Sequence, residues 1–282
     1  MLRTTPWSGA EYGVPEATRV RLVTINTAKE EPPYHGRIAL LAAGLARLEP
    51  DLVLLQETVN TPDGRFNTTL ALGDALGMTA LAVPARRKLR RIEDEVVDAW
   101  SGLGLLSRLP IAGHERLALP TDPRDGERIA LLARIDAGRG ELLIVNTHLT
   151  HLRDAADLRR RQIAAIAAHP WLSRPWQAAI LGGDLNTPLP ELPSLLAALG
   201  EHHSWVDTYI AGGGMEPRVT MPSYWASAEN RCLDYLISLA WRAHEDPRFT
   251  DSAVVLAEPD AAGTFPSDHR GVMTTLHLGA TP

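Results

Sequence analysis

The stretch Ile180-Leu181-Gly182-Gly183-Asp184-Leu185-Asn186-Thr187-Pro188 runs from apolar residues into two glycines, then presents a carboxylate and a carboxamide two positions apart. In extended backbone, residues i and i+2 project to the same side, so Asp184 and Asn186 aim at one point while Leu185 turns inward. Glycines just before them permit close approach of a neighbouring group to the backbone. The stretch reads as a strand that stops at a catalytic edge.

Working outward, the same grammar recurs. Residues 20–25 end at Asn26, residues 52–55 at Gln56-Glu57, and residues 142–145 at Asn146-Thr147-His148. Asp234 lies between Cys232-Leu233 and Tyr235-Leu236-Ile237, and Ser267-Asp268-His269 precedes an apolar run that begins at Val272. Six segments thus deliver the Asn, Glu, His and Asp side chains that a divalent metal and a phosphate ester require. A polar strand end alone signals only a turn or a helix cap.

In this order and context the segments resemble the endonuclease/exonuclease/phosphatase superfamily of metal-dependent phosphoesterases. The resemblance rests on Asn26 after a strand, Leu55-Gln56-Glu57, Ser101-Gly102-Leu103-Gly104-Leu105-Leu106-Ser107-Arg108, Asn146-Thr147-His148-Leu149, Gly183-Asp184-Leu185-Asn186, Leu233-Asp234-Tyr235 and Ser267-Asp268-His269. It implies a four-layer α/β sandwich, two mixed sheets face to face with helices outside. Patterning agrees: strands come in consecutive blocks, with helices expected at residues 36–48, 66–76, 154–168 and 192–199. Because the motifs span the chain, residues 19–282 are expected to form one catalytic domain behind an irregular tail of residues 1–18.

The chain has 282 residues, 45% hydrophobic and 22% charged, as expected of a globular protein with a sizeable core. Its net charge of −6 is the wrong sign for holding long duplex DNA, so nucleic acid is the second choice of partner. The basic run Arg86-Arg87-Lys88-Leu89-Arg90-Arg91, followed by Glu93-Asp94-Glu95, reads first as a self-compensating surface loop and second as a phosphate-facing patch. No apolar run approaches the ~20 residues that span a bilayer. With no secretory signal and Cys232 as sole cysteine, the expected location is cytoplasmic.

Phosphoester hydrolysis needs a cation at the nonbridging oxygens, an activated water and stabilisation of the leaving oxygen. Glu57 is the expected principal ligand of Mg²⁺, with Mn²⁺ as a plausible substitute, and Asn26 and Asp268 are expected on the metal side. Asp184 is expected to orient or deprotonate the attacking water, with Asn186 and His148 donating to phosphoryl oxygens. His269 is expected to be held by Asp234 from another strand, since sequence neighbours such as Asp268 rarely bond side chain to side chain in extended backbone. Arg108, Trp100 and Trp225 are expected to contact substrate, and Arg159 and Gln162 to support the loop that follows His148.

Other chemistries fit less well. His148 and His151 lack the cysteine partners or H-E-x-x-H frame of a zinc site. Three consecutive residues, Ser267-Asp268-His269, cannot form a serine-hydrolase relay, and Cys232 sits inside an apolar strand. The expected activity is hydrolysis of a small or lipid-derived phosphoester. A nuclease is the alternative, and a non-catalytic protein that keeps the fold is the alternative of another class.

Overall fold

The computed structural model describes residues 18–138, 140–223, 229–241 and 248–279. The expected tail therefore lies outside the described residues, apart from Thr18. Two six-stranded mixed sheets form the molecule's centre. The first contains β1 (Arg19–Asn26), β2 (Leu52–Asn60), β3 (Thr79–Ile92), β4 (Glu95–Ser107), β11 (Arg248–Val255) and β12 (Gly271–His277), in the order β11-β12-β1-β2-β4-β3. The second contains β5 (Ile111–Ala118), β6 (Ile129–Asp136), β7 (Glu141–His148), β8 (Ala178–Asp184), β9 (His203–Asp207) and β10 (Asp234–Trp241), in the order β5-β6-β7-β8-β10-β9.

Strand alternation builds the layers. On β1, Leu22 faces the second sheet and joins Leu54, Leu105, Leu131, Ile144, Ile180 and Leu236 in the central core. Its neighbours Val23 and Ile25 turn the other way, onto Ile38, Leu41 and Leu45 of α1 (Tyr34–Leu48) and Leu72 of α2 (Thr68–Leu76). The second sheet likewise packs Val145, Leu181 and Ile237 outward against Ile163 and Ile166 of α3 (Ala156–Ala167) and Leu195 of α4 (Leu192–Leu196). Strands that are buried on both faces need apolar residues at nearly every position, which explains the uninterrupted runs that end at Gln56, Asn146 and Asp184. No helix among the described residues is long and apolar enough to cross a membrane.

One segment departs from expectation. Residues 86–95 do not form a surface loop: β3 runs through the basic stretch to Ile92, turns at Glu93-Asp94 and returns as β4, paired from Ile92–Glu95 back to Thr79–Ser107. Continuous ladder hydrogen bonding holds the charges in extended backbone, so they alternate between two faces rather than compensating one another locally. A short strand, β9, and the one-turn helix α5 (Thr208–Ala211) were not anticipated.

Two parallel pairs position the site. β1 lies beside β2 with Asn26 opposite Gln56, and β7 beside β8 with His148 opposite Asp184. Gly183, at φ +133°, lets these strands close: a Cβ there would stand 1.9 Å from the Thr147 carbonyl oxygen.

Candidate active site

Asn26 terminates β1 and Asp184 terminates β8, yet the Asn26 amide Nδ2 donates to Asp184 Oδ2 at 3.1 Å. The polar ends of both sheets therefore meet at one place. Beside Asp184, antiparallel pairing puts Asp234 directly opposite on β10. His269 arrives from the loop before β12, and its Nδ1 lies 2.8 Å from Asp234 Oδ2, while Nε2 lies 3.8 Å from Asp184 Oδ2. His148 Nε2 approaches the same Asp184 oxygen at 3.5 Å and its Nδ1 lies 3.8 Å from Glu57 Oε1. Asn186 donates its backbone N–H to Asp184 Oδ1 and its Nδ2 to the Leu149 carbonyl.

Glu57 owes its aim to a bulge. The β2–β4 register shifts between Leu55 and Thr58, and Glu57 takes a left-handed backbone with φ 54°. A bulge re-aims one side chain off the ladder, and here it turns the carboxylate into a cavity of about 90 Å³ lined also by Lys29, Arg86, Lys88, Arg128 and His148. The Lys29 ammonium pairs with Glu57 Oε1. Ala28, Lys29 and Asn186 also have positive φ, at 54°, 41° and 48°. Such backbone costs about 1–3 kcal/mol per residue and persists where surrounding contacts over-determine it.

The electrostatics separate the groups. Burial, then the neighbouring Asp234 charge, raises the Asp184 carboxyl to about 7. Burial opposes charge on His269, but Asp234 and Asp184 outweigh it and raise the imidazole to about 10. His148 goes the other way, well below the ordinary imidazole value, because of burial and then the Arg128 and Lys29 cations. The site thus pairs a neutral imidazole with an imidazolium across a carboxyl group poised near neutrality.

Two donor sets suit a cation. Asp184, Asp234 and His269 each offer a ligand atom within 4.8 Å of the others, and Asp234 Oδ1 is buried without a hydrogen-bond partner among the described residues. However, a protonated His269 bonded to Asp234 has no lone pair to give. Glu57 is the carboxylate beside open space, and the ammonium already held there shows where positive charge collects. Hard carboxylate oxygens at a site that leaves room for water fit Mg²⁺ or Mn²⁺.

Several placements differ from the sequence reading. Asn26 Oδ1 accepts from the Ala28 N–H, so its carboxamide is engaged by backbone on one side and Asp184 on the other. Asp268 is half-buried, with Oδ1 3.3 Å from Ser267 Oγ. Arg108 sits at the opposite end of the first sheet, donating to the carbonyls of Pro50 and Asp51, because β4 runs antiparallel to β2 and carries it away from Glu57. Its expected substrate contact is therefore set aside. Trp100 lies under the Arg87 guanidinium, 4.8 Å from ring centroid to Cζ, and does not line the Glu57 cavity. Trp225 lies outside the described residues.

Other residues emerge only from the fold. Arg37, from α1, is buried and donates to the carbonyls of Thr27, Ala28, Lys29, Glu31 and Pro266, binding the loop after β1 to the loop that carries His269. Ser267 Oγ donates to the Asn26 carbonyl, and Thr220 Oγ1 accepts from the N–H of Leu233 and of Asp234. Arg159 and Gln162 do hold the loop after His148, through the Leu152 carbonyl and the Thr150 N–H.

The model of the Endonuclease/Exonuclease/phosphatase family matches residues 23–269, from the β1 strand to the imidazole at the site. The chain belongs to this family. Its members are hydrolases acting on phosphoester bonds, and the carboxylates, imidazoles and carboxamides gathered here occupy the family's matched span. A humanized D. rerio TDP2 carrying 14 mutations superposes with a TM-score of 0.72 at 19% identity, over 93% of this chain and 100% of that one. An endonuclease/exonuclease/phosphatase from Beutenbergia cavernae DSM 12333 gives 0.71 at 23%, over 94% and 73%. D. rerio TDP2 complexed with a single-strand DNA product gives 0.70 at 18%, over 93% and 100%. No curated protein matches the chain.

Proposed function

We propose that this family member is a divalent-metal-dependent phosphodiesterase. The observation that carries this reading is the chain of contacts from Glu57 through His148, Asp184 and His269 to Asp234, no link longer than 3.8 Å, beside a cavity walled by cations.

A cation held at Glu57 would supply Lewis-acid neutralisation of a nonbridging phosphoryl oxygen. Neutral His148 donates one N–H to another phosphoryl oxygen. Asp184, balanced near neutrality, takes the proton of the attacking water as the water oxygen bonds to phosphorus and the ester P–O bond breaks, the departing oxygen taking a proton from solvent. Asn26 and Asn186 hold the two Asp184 oxygens in place. The His269 imidazolium, oriented by Asp234, offsets the negative charge that accumulates on phosphorus-bound oxygen.

A small or lipid-derived phosphoester fits the acidic chain as a whole. The basic β3 row beside Glu57 favours a second reading, a short single strand of nucleic acid, and the DNA-bound TDP2 neighbour lends that reading support. The test is hydrolysis of bis-p-nitrophenyl phosphate and p-nitrophenyl phosphate under Mg²⁺ or Mn²⁺ titration, with Glu57→Gln and Asp184→Asn beside the wild type. Metal-dependent cleavage of the diester, lost in both variants, supports the proposal. An equal metal-free background in all three proteins would leave a non-catalytic scaffold. A panel of abasic DNA, single-stranded RNA, sphingomyelin and inositol phosphates then ranks substrates.

A further inference from the structure

The cavity beside Glu57 has charges that can be accounted for pair by pair. Arg86, Lys88 and Arg90 alternate along β3 and all line it, as a period of two requires of residues on one strand face. On the opposite face Arg87 is neutralised by Asp98. Within the cavity wall, Arg90 is neutralised by Glu30, Lys29 by Glu57 and Arg128 by Asp125. The remaining lining acid, Glu127, is taken by Arg116. Among the described residues, Arg86 donates only to the Asp125 backbone carbonyl, and Lys88 has no ion-pair or hydrogen-bond partner. Two full positive charges therefore stand uncompensated on one wall, in a chain whose net charge is −6.

Unpaired cations that face a shared cavity attract an anion, and β3 sets them about 7 Å apart along the strand. The cavity is continuous with Glu57 and His148, so the anion belongs to the same ligand as the scissile phosphoester. We propose that Arg86 and Lys88 form a subsite for a second phosphate of the substrate, one unit away from the bond that is cleaved. This rests on the phosphodiesterase reading above and narrows it to substrates with neighbouring phosphates. The carrier of those phosphates is either a nucleotide chain or an inositol ring, which share this chemistry.

The test compares thymidine 5′-(p-nitrophenyl phosphate) with the same ester bearing a 3′-phosphate, so that leaving group and scissile bond are constant. Wild type is expected to prefer the 3′-phosphorylated ester by about tenfold or more in kcat/KM, as charged hydrogen bonds of ordinary strength allow. The preference should reside in KM and fall toward unity in the double variant Arg86→Ala/Lys88→Ala. Arg87→Ala, on the far face, should keep it. Inhibition by thymidine 3′,5′-bisphosphate compared with inositol 1,4-bisphosphate identifies the carrier. Equal rates on the two esters in wild type, or a preference that survives the double variant, overturn the subsite alone. Failure of wild type to cleave either ester with Mg²⁺ or Mn²⁺ overturns the phosphodiesterase reading itself.

Discussion

Asn26 Nδ2 donates to Asp184 Oδ2 across 158 positions of sequence and from one sheet to the other. This bond, with His148 and His269 on either side, makes a single site from strand ends that belong to different layers.

Asn26→Ala removes a donor that holds the Asp184 charge. The carboxyl, already raised to about 7 by burial and Asp234, should move further up. The acid limb of the rate–pH profile should therefore shift to higher pH, with kcat down by about 10²-fold from lost positioning. A profile whose limb stays in place would show that Asn26 does not act through Asp184.

The Asp234–His269 pair predicts a stability dependence with a definite sign in the metal-free protein. Its folded imidazole, at about 10, lies above the ordinary value of ~6.5, so the pair's stabilisation is complete below pH ~6.5 and is lost as pH rises through about 10. NMR of the His269 ring should show it protonated throughout the neutral range. Asp234→Asn should lower that titration and cost about 3–5 kcal/mol in denaturant unfolding near neutral pH. An unchanged ring titration would contradict this account.

Arg37 touches no reacting group, yet its guanidinium ties five backbone carbonyls on two site loops together. Arg37→Met leaves those carbonyls without a donor in a buried place. It should destabilise the fold by about 3 kcal/mol or more and lower kcat at temperatures where the variant remains folded. Arg37→Lys keeps the charge but loses the planar fork, so it should recover stability better than turnover. Full turnover in a folded Arg37→Met protein would refute the positioning role.

Cys232 should be inert. Burial pushes its thiol up to about 12, so almost no thiolate exists near neutral pH. An aromatic disulfide reagent should titrate no thiol in the native protein at pH 8 and one in guanidinium. Rapid native labelling would mean that this strand end opens.

Much of this was legible in the letters. Apolar runs that stop at Asn26, Glu57, His148 and Asp184 report strands buried on both faces, whose polar residues gather at one end. The Asp234 partnership of His269 was expected from the residue types, but the loop before β12 is what brings the ring to Asp234 Oδ2 at 2.8 Å. What failed did so through pairing. Arg108 ends a motif-like strand, yet β4 runs antiparallel to β2 and carries it to the far edge. The basic run 86–91 looked self-cancelling beside Glu93-Asp94-Glu95, but a ladder thirteen pairs long holds it straight and sends alternate charges to opposite faces.

By itself, then, the amino-acid sequence determined which residue types end the strands and which layers those strands build, since periodicity and burial are properties of short segments. Tertiary structure alone decided that Lys29 sits on Glu57, that Arg37 clasps two loops and that Arg86 and Lys88 keep their charges. Those facts depend on which acid or carbonyl lies within a few ångströms of each cation, and that is set by sheet register, bulges and loops among residues distant in the chain.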